Sequence, residues 1–297
     1  MRSSIIIAIA VAALLGFLSQ GFATSGADKV RYVGSFKINR TDPAQGGFSG
    51  LSMNDDGTIF TAISDKGMFF TGALIRNGDV VSRMSFTHAS QIKGGKGQEI
   101  GKGRNDSEGL AIDRDGKIFV SFEGPARVWS FGNINENARA LPRHENFKNM
   151  ANNGALEALA INKQGQIFAI PEGRYTSTQP FEIYRFDREW GIFATAPRSD
   201  GFLPVGADFG PDEHLYLLER KFSPISGFKN RIRRFELSSN GIQHEELLWQ
   251  SEYGEHGNLE GLSVWRDAHN QLRFSMISDD NFKFFLRSEL VEYALTE

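Results

Sequence analysis

Five stretches of the sequence share one pattern: a short apolar run, a tight turn and a second apolar run. They are SGLSMNDDGTIFTAISDKG from Ser49, EGLAIDRDGKIFVSFEGPAR from Glu108, EALAINKQGQIFAIPEGR from Glu157, VGADFGPDEHLYLLERK from Val205 and EGLSVWRDAHNQLRFSMISDDNFK from Glu260. Their starts are 59, 49, 48 and 55 residues apart. Asp, Asn or Gln beside Gly between two apolar runs marks an antiparallel hairpin. A third strand follows in four of them: ARVWSF at Ala126, FEIYRF at Phe181, NRIRRFEL at Asn230 and ELVEYAL at Glu289. Segments such as ENARALP and GIQHEELLW supply a fourth. Four antiparallel strands recurring at this period form a β-propeller blade. The chain therefore reads as all-β, a propeller of five blades. A degenerate sixth is left open between Leu74 and Asn105, where the spacing is longest. RYVGSFKI from Arg31 has no hairpin of its own and reads as the outer strand of the last blade, closing the ring and removing a free sheet edge. A β-sandwich would not repeat one hairpin five times.

Before the repeats stands Met1-Arg2 and then an apolar run from Ile5 to Leu18, the length of a signal-peptide core and short for a membrane span. Gly21-Phe22-Ala23 places small residues before a cleavage point. Residues 1–23 are expected to be a signal peptide and 24–297 a single propeller domain. Localisation would then be the bacterial periplasm or the medium, with no stable membrane anchor after cleavage. The absence of cysteine means that the fold holds without disulfides. A net charge of -3 gives no footprint for nucleic acid.

A hairpin brings the start of its first strand beside the end of its second. The lead-in position of the five repeats holds Ser49, Glu108, Glu157, Val205 and Glu260. The lead-out position, uncertain by about one residue, holds Asp65, Glu123, Glu172, Glu219 and Asp279. First strands line a propeller's channel, so these residues predict a ring of carboxylates at one mouth. Asn105, Asp106, Asn152, Asn153 and Asn258 add side-chain oxygens just before the lead-in residues. Asp208 lies inside its apolar strand and points either into the channel or to a structural bond. Such hard oxygen donors suit Ca²⁺ or Mg²⁺. Lys66, Arg127, Arg174 and Arg220 follow the lead-out acids and suit a phosphate or carboxylate on a small anionic ligand. Two bland readings stay open: lead-in acids that bond backbone N–H groups of a neighbouring turn, and lead-out acids that merely pair with the adjacent cation. No G-x-S-x-G elbow or H-E-x-x-H motif is present.

The motifs FSGLS, DSEGLAID, LEALAI, GADFGPDEHLYLLER and NLEGLSVW together resemble the phytase-like family, also described as having an esterase-like activity of phytase. The resemblance runs from about Val30 to Leu295. It implies an exported bacterial propeller that hydrolyses ester or phosphoester substrates. Propeller phytases use calcium at an acidic channel mouth, which implies calcium for Glu108, Glu157, Glu260, Asp208 and the lead-out acids here. Two other readings remain: a non-catalytic propeller that binds a small anionic ligand, a glycan or an envelope partner, and a lactonase-like or sugar-dehydrogenase-like propeller.

Overall fold

The computed structural model describes residues 29–173 and 178–296. The expected signal peptide, residues 1–23, lies outside the described residues. Strand β1 (Val30–Lys37) is followed by five hairpin-built groups. Blade 1 is β2 (Phe48–Met53), β3 (Ile59–Ser64), β4 (Met68–Asn77) and β5 (Val80–Gln91). Blade 2 is β6 (Ser107–Ile112), β7 (Ile118–Phe122), β8 (Arg127–Phe131) and β9 (Arg139–Ala140). Blade 3 is β10 (Ala158–Ile161), β11 (Ile167–Ile170), β12 (Phe181–Asp187) and β13 (Glu189–Ala196). Blade 4 is β14 (Leu203–Phe209), β15 (Leu215–Ser223), β16 (Gly227–Ser238) and β17 (Gly241–Gln250). Blade 5 is β18 (Asn258–Arg266), β19 (Leu272–Asp279) and β20 (Glu289–Leu295), completed by β1, which runs antiparallel to β20 from Val30↔Leu295 to Lys37↔Glu289. The ring is closed by its first strand, as the sequence led us to expect. There are five blades: the long spacing after Leu74 is the extended outer hairpin β4–β5 and the loop behind it. Among the described residues no helix is long and apolar enough to cross a membrane.

The core is divided among the blade interfaces. Phe48, Phe70 and Leu290 pack between blades 1 and 5. Ile63, Val120 and Phe131 pack between blades 1 and 2, and Phe119, Leu159 and Tyr184 between blades 2 and 3. Phe168 with Leu215, and Tyr216 with Phe274, fill the next two seams. Alternate side chains of a strand face opposite sides of its sheet, so each blade is apolar on both faces and needs a neighbour on each side. Truncating a buried Phe in such a seam costs about 3–5 kcal/mol.

The innermost strands β2, β6, β10, β14 and β18 touch in sequence around the axis. Glycine permits their approach. A Cβ on Gly206 would stand 2.2 Å from the Glu260 carbonyl oxygen, and one on Gly261 would stand 2.8 Å from the Leu51 nitrogen. Leu51, Leu110, Leu159 and Leu262 then close the channel at its waist around a void of only about 10 Å³, too small for more than a single water. Beyond the waist the hairpin turns splay apart around a cavity of about 1340 Å³.

Candidate metal-binding mouth

Every inner hairpin is irregular near the start of its first strand, except in blade 3. The register slips between Phe48 and Gly50, Ser107 and Leu110, Pro204 and Gly206, and Leu259 and Gly261. Ser49, Val205 and Glu260 are thus extra residues of β-bulges, and Glu108 falls in the same irregularity. A bulge re-aims a side chain. Here it lies at the channel mouth opposite the hairpin turns, which we call the acid mouth.

The same bulge fixes the lead-out register. Pairing of Phe48 with Ser64, Ser107 with Phe122, Pro204 with Glu219 and Leu259 with Ser278 makes Asp65, Glu123, Arg220 and Asp279 the equivalent lead-out residues. Glu172 takes this place in blade 3, two residues beyond Ile170, which pairs with Ala158. The expectation of five lead-out acids is therefore corrected in blade 4: the position holds Arg220. Glu219, one residue earlier, faces the other side of the sheet. It is fully buried, accepting from Arg231 Nε at 2.7 Å and from Arg233 Nε and Nη2 at 2.7 and 2.8 Å. Both of its oxygens are engaged by guanidinium groups, so it is no ligand of the mouth.

Asp106, Glu108 and Glu123 offer ligand oxygens that lie within 4.8 Å of one another. Oxygens bound to one Ca²⁺ at about 2.3–2.6 Å can be at most about 5 Å apart, so the spacing fits. The Glu157 carboxyl faces that of Glu123, and the Asp106 carboxyl faces that of Glu108. Glu123 Oε1 also accepts from the backbone N–H groups of Gly154 and Ala155, the latter at 2.8 Å. On the far side, Arg220 Nη2 donates to Glu172 Oε1 at 3.1 Å and Nη1 to Asn258 Oδ1 at 2.6 Å, while Nη1 also meets Glu260. Asn258 Nδ2 donates to Glu260 at 2.8 Å and to Asp279 at 3.2 Å.

Burial pushes the carboxyls of Glu108, Glu157, Glu260 and Asp65 up, and repulsion from neighbouring acids adds to it. Glu108 is held well above the ordinary range by burial and then by Glu157 and Glu260. Glu157 is raised by burial and then by Glu172 and Glu123. Glu260 is pushed to about 8 by burial, although Arg220 pulls it down. Asp65 is pushed to about 7 by burial and by Asp279, and one of its buried oxygens, Oδ1, has no hydrogen-bond partner. The donors are all oxygen, mostly anionic, and short of positive charge. That chemistry fits a hard divalent cation.

The structure thus gathers Glu108, Glu123, Glu157, Glu172, Glu260, Asp279 and Arg220 at one mouth, with Asp65 beside Asp279. Asp208 does not join them, contrary to expectation. It stands near the other end of β14, on the large turn-side cavity, where it accepts from Val264 N at 2.8 Å and Ser263 Oγ at 3.3 Å. Arg127 is not placed for a ligand either. Its Nη1 donates to the carbonyls of Glu123 and Pro125 at 3.1 and 2.9 Å, and it lies over the rings of Phe122 and Trp129. Lys66 is exposed at the rim, against Phe282. Arg174 lies outside the described residues. Asp106 and Asn258 belong to the site more directly than their role as flanking oxygens suggested. The signal was a polar oxygen donor two residues before the lead-in acid.

Among curated proteins none matches the chain in sequence. Its fold is similar to that of an α-L-arabinofuranosidase from Podospora anserina solved with cellotriose, with a TM-score of 0.52 at 11% identity, covering 89% of this chain and 96% of that one. It is also similar to a PQQ-bound aldose sugar dehydrogenase from Streptomyces coelicolor, at a TM-score of 0.47, 10% identity and coverage of 88% and 98%. A gluconolactonase from Xanthomonas campestris gives 0.42, 14%, and 82% and 71%. The first of these likenesses, to the arabinofuranosidase, speaks to fold alone. The family described as phytase-like, with an esterase-like activity of phytase, matches residues 43–282, so the chain belongs to the phytase-like family.

Proposed function

We propose that the chain is a metal-assisted hydrolase of phosphoester or related ester substrates, working at the acid mouth. The observation that carries the reading is the convergence of Asp106, Glu108 and Glu123 within 4.8 Å, with Glu157 and Glu260 buried close by. Asp106, Glu108 and Glu123 would hold the cation, which we take to be calcium, and Glu157 would complete its anionic surroundings. When bound, such an ion supplies Lewis acidity toward an ester oxygen and lowers the pKa of water. The chain's own part is positional. Arg220 fixes Glu172 and Glu260 in place and contributes a positive charge on the blade-4 side of the mouth. The closed waist confines substrate to the acid side.

Export to the periplasm or medium remains part of the proposal and rests on the Ile5–Leu18 segment. The mass of the chain recovered from its native host would test it, the expected loss being residues 1–23. The activity is tested by assaying phosphomonoesters, phytate and aryl esters with calcium and with chelator. Chelator-sensitive turnover is expected. Calcium-dependent stabilisation with no turnover on any of them would instead assign a binding propeller for a small anionic ligand.

A further inference from the structure

We infer that the rim of the acid mouth at blades 4 and 5 docks on an anionic lipid surface. Three segments build this rim. The β15–β16 turn continues from Arg220 on the acid side. The loop 280–288 continues directly from Asp279. The connection 251–257 leads into Asn258. They are contiguous: the Gly227 Cβ position lies 3.8 Å from Gly254, and Arg287 Nη1 donates to the Glu255 carbonyl.

The apolar side chains on this rim are presented rather than buried. Ile225 is 97% exposed, Phe284 98% and Phe285 67%, and no other large apolar side chain among the described residues is as exposed as these. Phe222 and Tyr253 stand half open beside them. Soluble surfaces seldom concentrate such residues without a use for them. The base of the 280–288 loop is held while its tip is free. Asn281 Nδ2 donates to Asp279 at 2.6 Å, Phe282 N donates to Asp280 at 3.0 Å, and the Phe282 ring lies under Lys66 and Arg40. Asn281 and Phe282 both adopt left-handed backbone angles, with φ of 48° and 53°. This turn lifts Phe284 and Phe285 away from the body.

Charge selects the partner. Lys283 and Arg287 flank the two phenylalanines on their own loop, and Lys221 and Lys229 flank Ile225. Glu252 and Glu255 on the connecting segment offset them only in part; Lys229 lies 3.8 Å from Glu252. Single aromatic and aliphatic tips ringed by cations suit a soft anionic interface, into which each tip sinks while the cations stay among headgroups. A protein partner would need a broad, shape-matched area of about 1,000 Å² or more, which protruding tips do not provide.

Sedimentation with phosphatidylcholine vesicles, with and without phosphatidylglycerol, tests this independently of any turnover. Binding to the anionic vesicles is expected, weakening about tenfold when ionic strength is raised to about 0.5 M. The double variant Phe284→Ser with Phe285→Ser, and separately Ile225→Ser, should each lose roughly tenfold in partitioning. Their melting temperatures should match the parent, since these side chains pack against nothing that folding needs. The inference is overturned by no anionic binding, by equal binding of the variants, or by a parent dimer that the variants turn into monomer. The last result would make the rim a contact between two copies.

Discussion

The two mouths of the channel are both rich in acids and amides, yet they use them in opposite ways. At the turn mouth Asn54, Asp113, Asn162 and Asp267 each serve their own turn. Asn54 accepts from Thr58 N and Ile59 N at 2.9 Å each, Asp113 from Asp115 N and Lys117 N at 3.0 and 2.8 Å, and Asn162 from Gln164 N and Gln166 N at 3.1 and 2.9 Å. Asp267 does the same with His269 N and Gln271 N. These groups are near solvent, and their acceptors are satisfied by backbone donors that a turn would otherwise leave unpaired. At the acid mouth the side chains sit on bulges and strand ends, where fewer backbone donors point at them. They face one another and are buried. Their charge is met only in part, by Arg220. An acid's place in the repeat therefore decides whether it holds structure or is left poised for a ligand.

The largest expected effect comes from an acid that belongs to neither mouth. Glu219→Ala would leave Arg231 and Arg233 buried without their counter-charge, at a cost of about 3–5 kcal/mol in unfolding free energy. Calcium affinity, read by calorimetry at a temperature where the variant is folded, should be unchanged. A loss of metal binding would return Glu219 to the site and undo the blade-4 register.

Next in size is Glu108→Gln combined with Glu157→Gln. Calcium affinity should fall on the order of 100-fold, since two anionic groups leave the mouth. The metal-free melting temperature should hold or rise, because like charges have been removed from a buried site. A variant that unfolds readily while the remaining folded protein binds calcium as before would show that these acids are structural. At the turn mouth, Asp113→Ala should do the reverse. It should cost about 1 kcal/mol of stability for its lost backbone hydrogen bonds and leave calcium affinity alone.

These contrasts also mark how far the sequence could be read. The hairpins carry D-G or an equivalent turn between apolar runs, a local signal, so blade count and ring closure by Arg31–Ile38 follow from pattern alone. The lead-in acids were legible for the same reason. The lead-out acids were legible in every blade but the fourth, where an acid happens to stand one residue before the equivalent position. Glu219 matched the acids of the other four blades in residue type, and a strand's sequence alone does not fix its register to one residue. Asp208 misled for a related reason. Period-two alternation tells which face of a strand a side chain occupies but not which end of the channel it reaches, and Asp208 is five residues beyond Leu203 where β14 begins. The ion pairs of Glu219 were hidden because Arg231 and Arg233 lie on the next strand, at a register no local pattern sets.

The smallest effect, and the one that isolates the turn mouth, belongs to Asp208. Burial pushes its carboxyl up to about 7, against hydrogen bonds from Val264 N and Ser263 Oγ that pull it down. The unfolded chain would release this proton near pH 3.9, so between about 4 and 7 the folded state binds more protons than the unfolded one. The stability it contributes is fully present below that window and is lost as pH rises through about 7. Asp208→Asn keeps an acceptor for Val264 N but cannot ionise. Asp208 is only partly buried on its cavity, so solvent screens much of this shift; the variant's melting temperature should match the parent near pH 4 and exceed it by about 2–4 °C at pH 8. The gap should be the same with calcium or chelator, because the closed waist separates Asp208 from the acid mouth. A gap that vanished on adding calcium would mean that the two mouths share one charge balance across the leucine constriction.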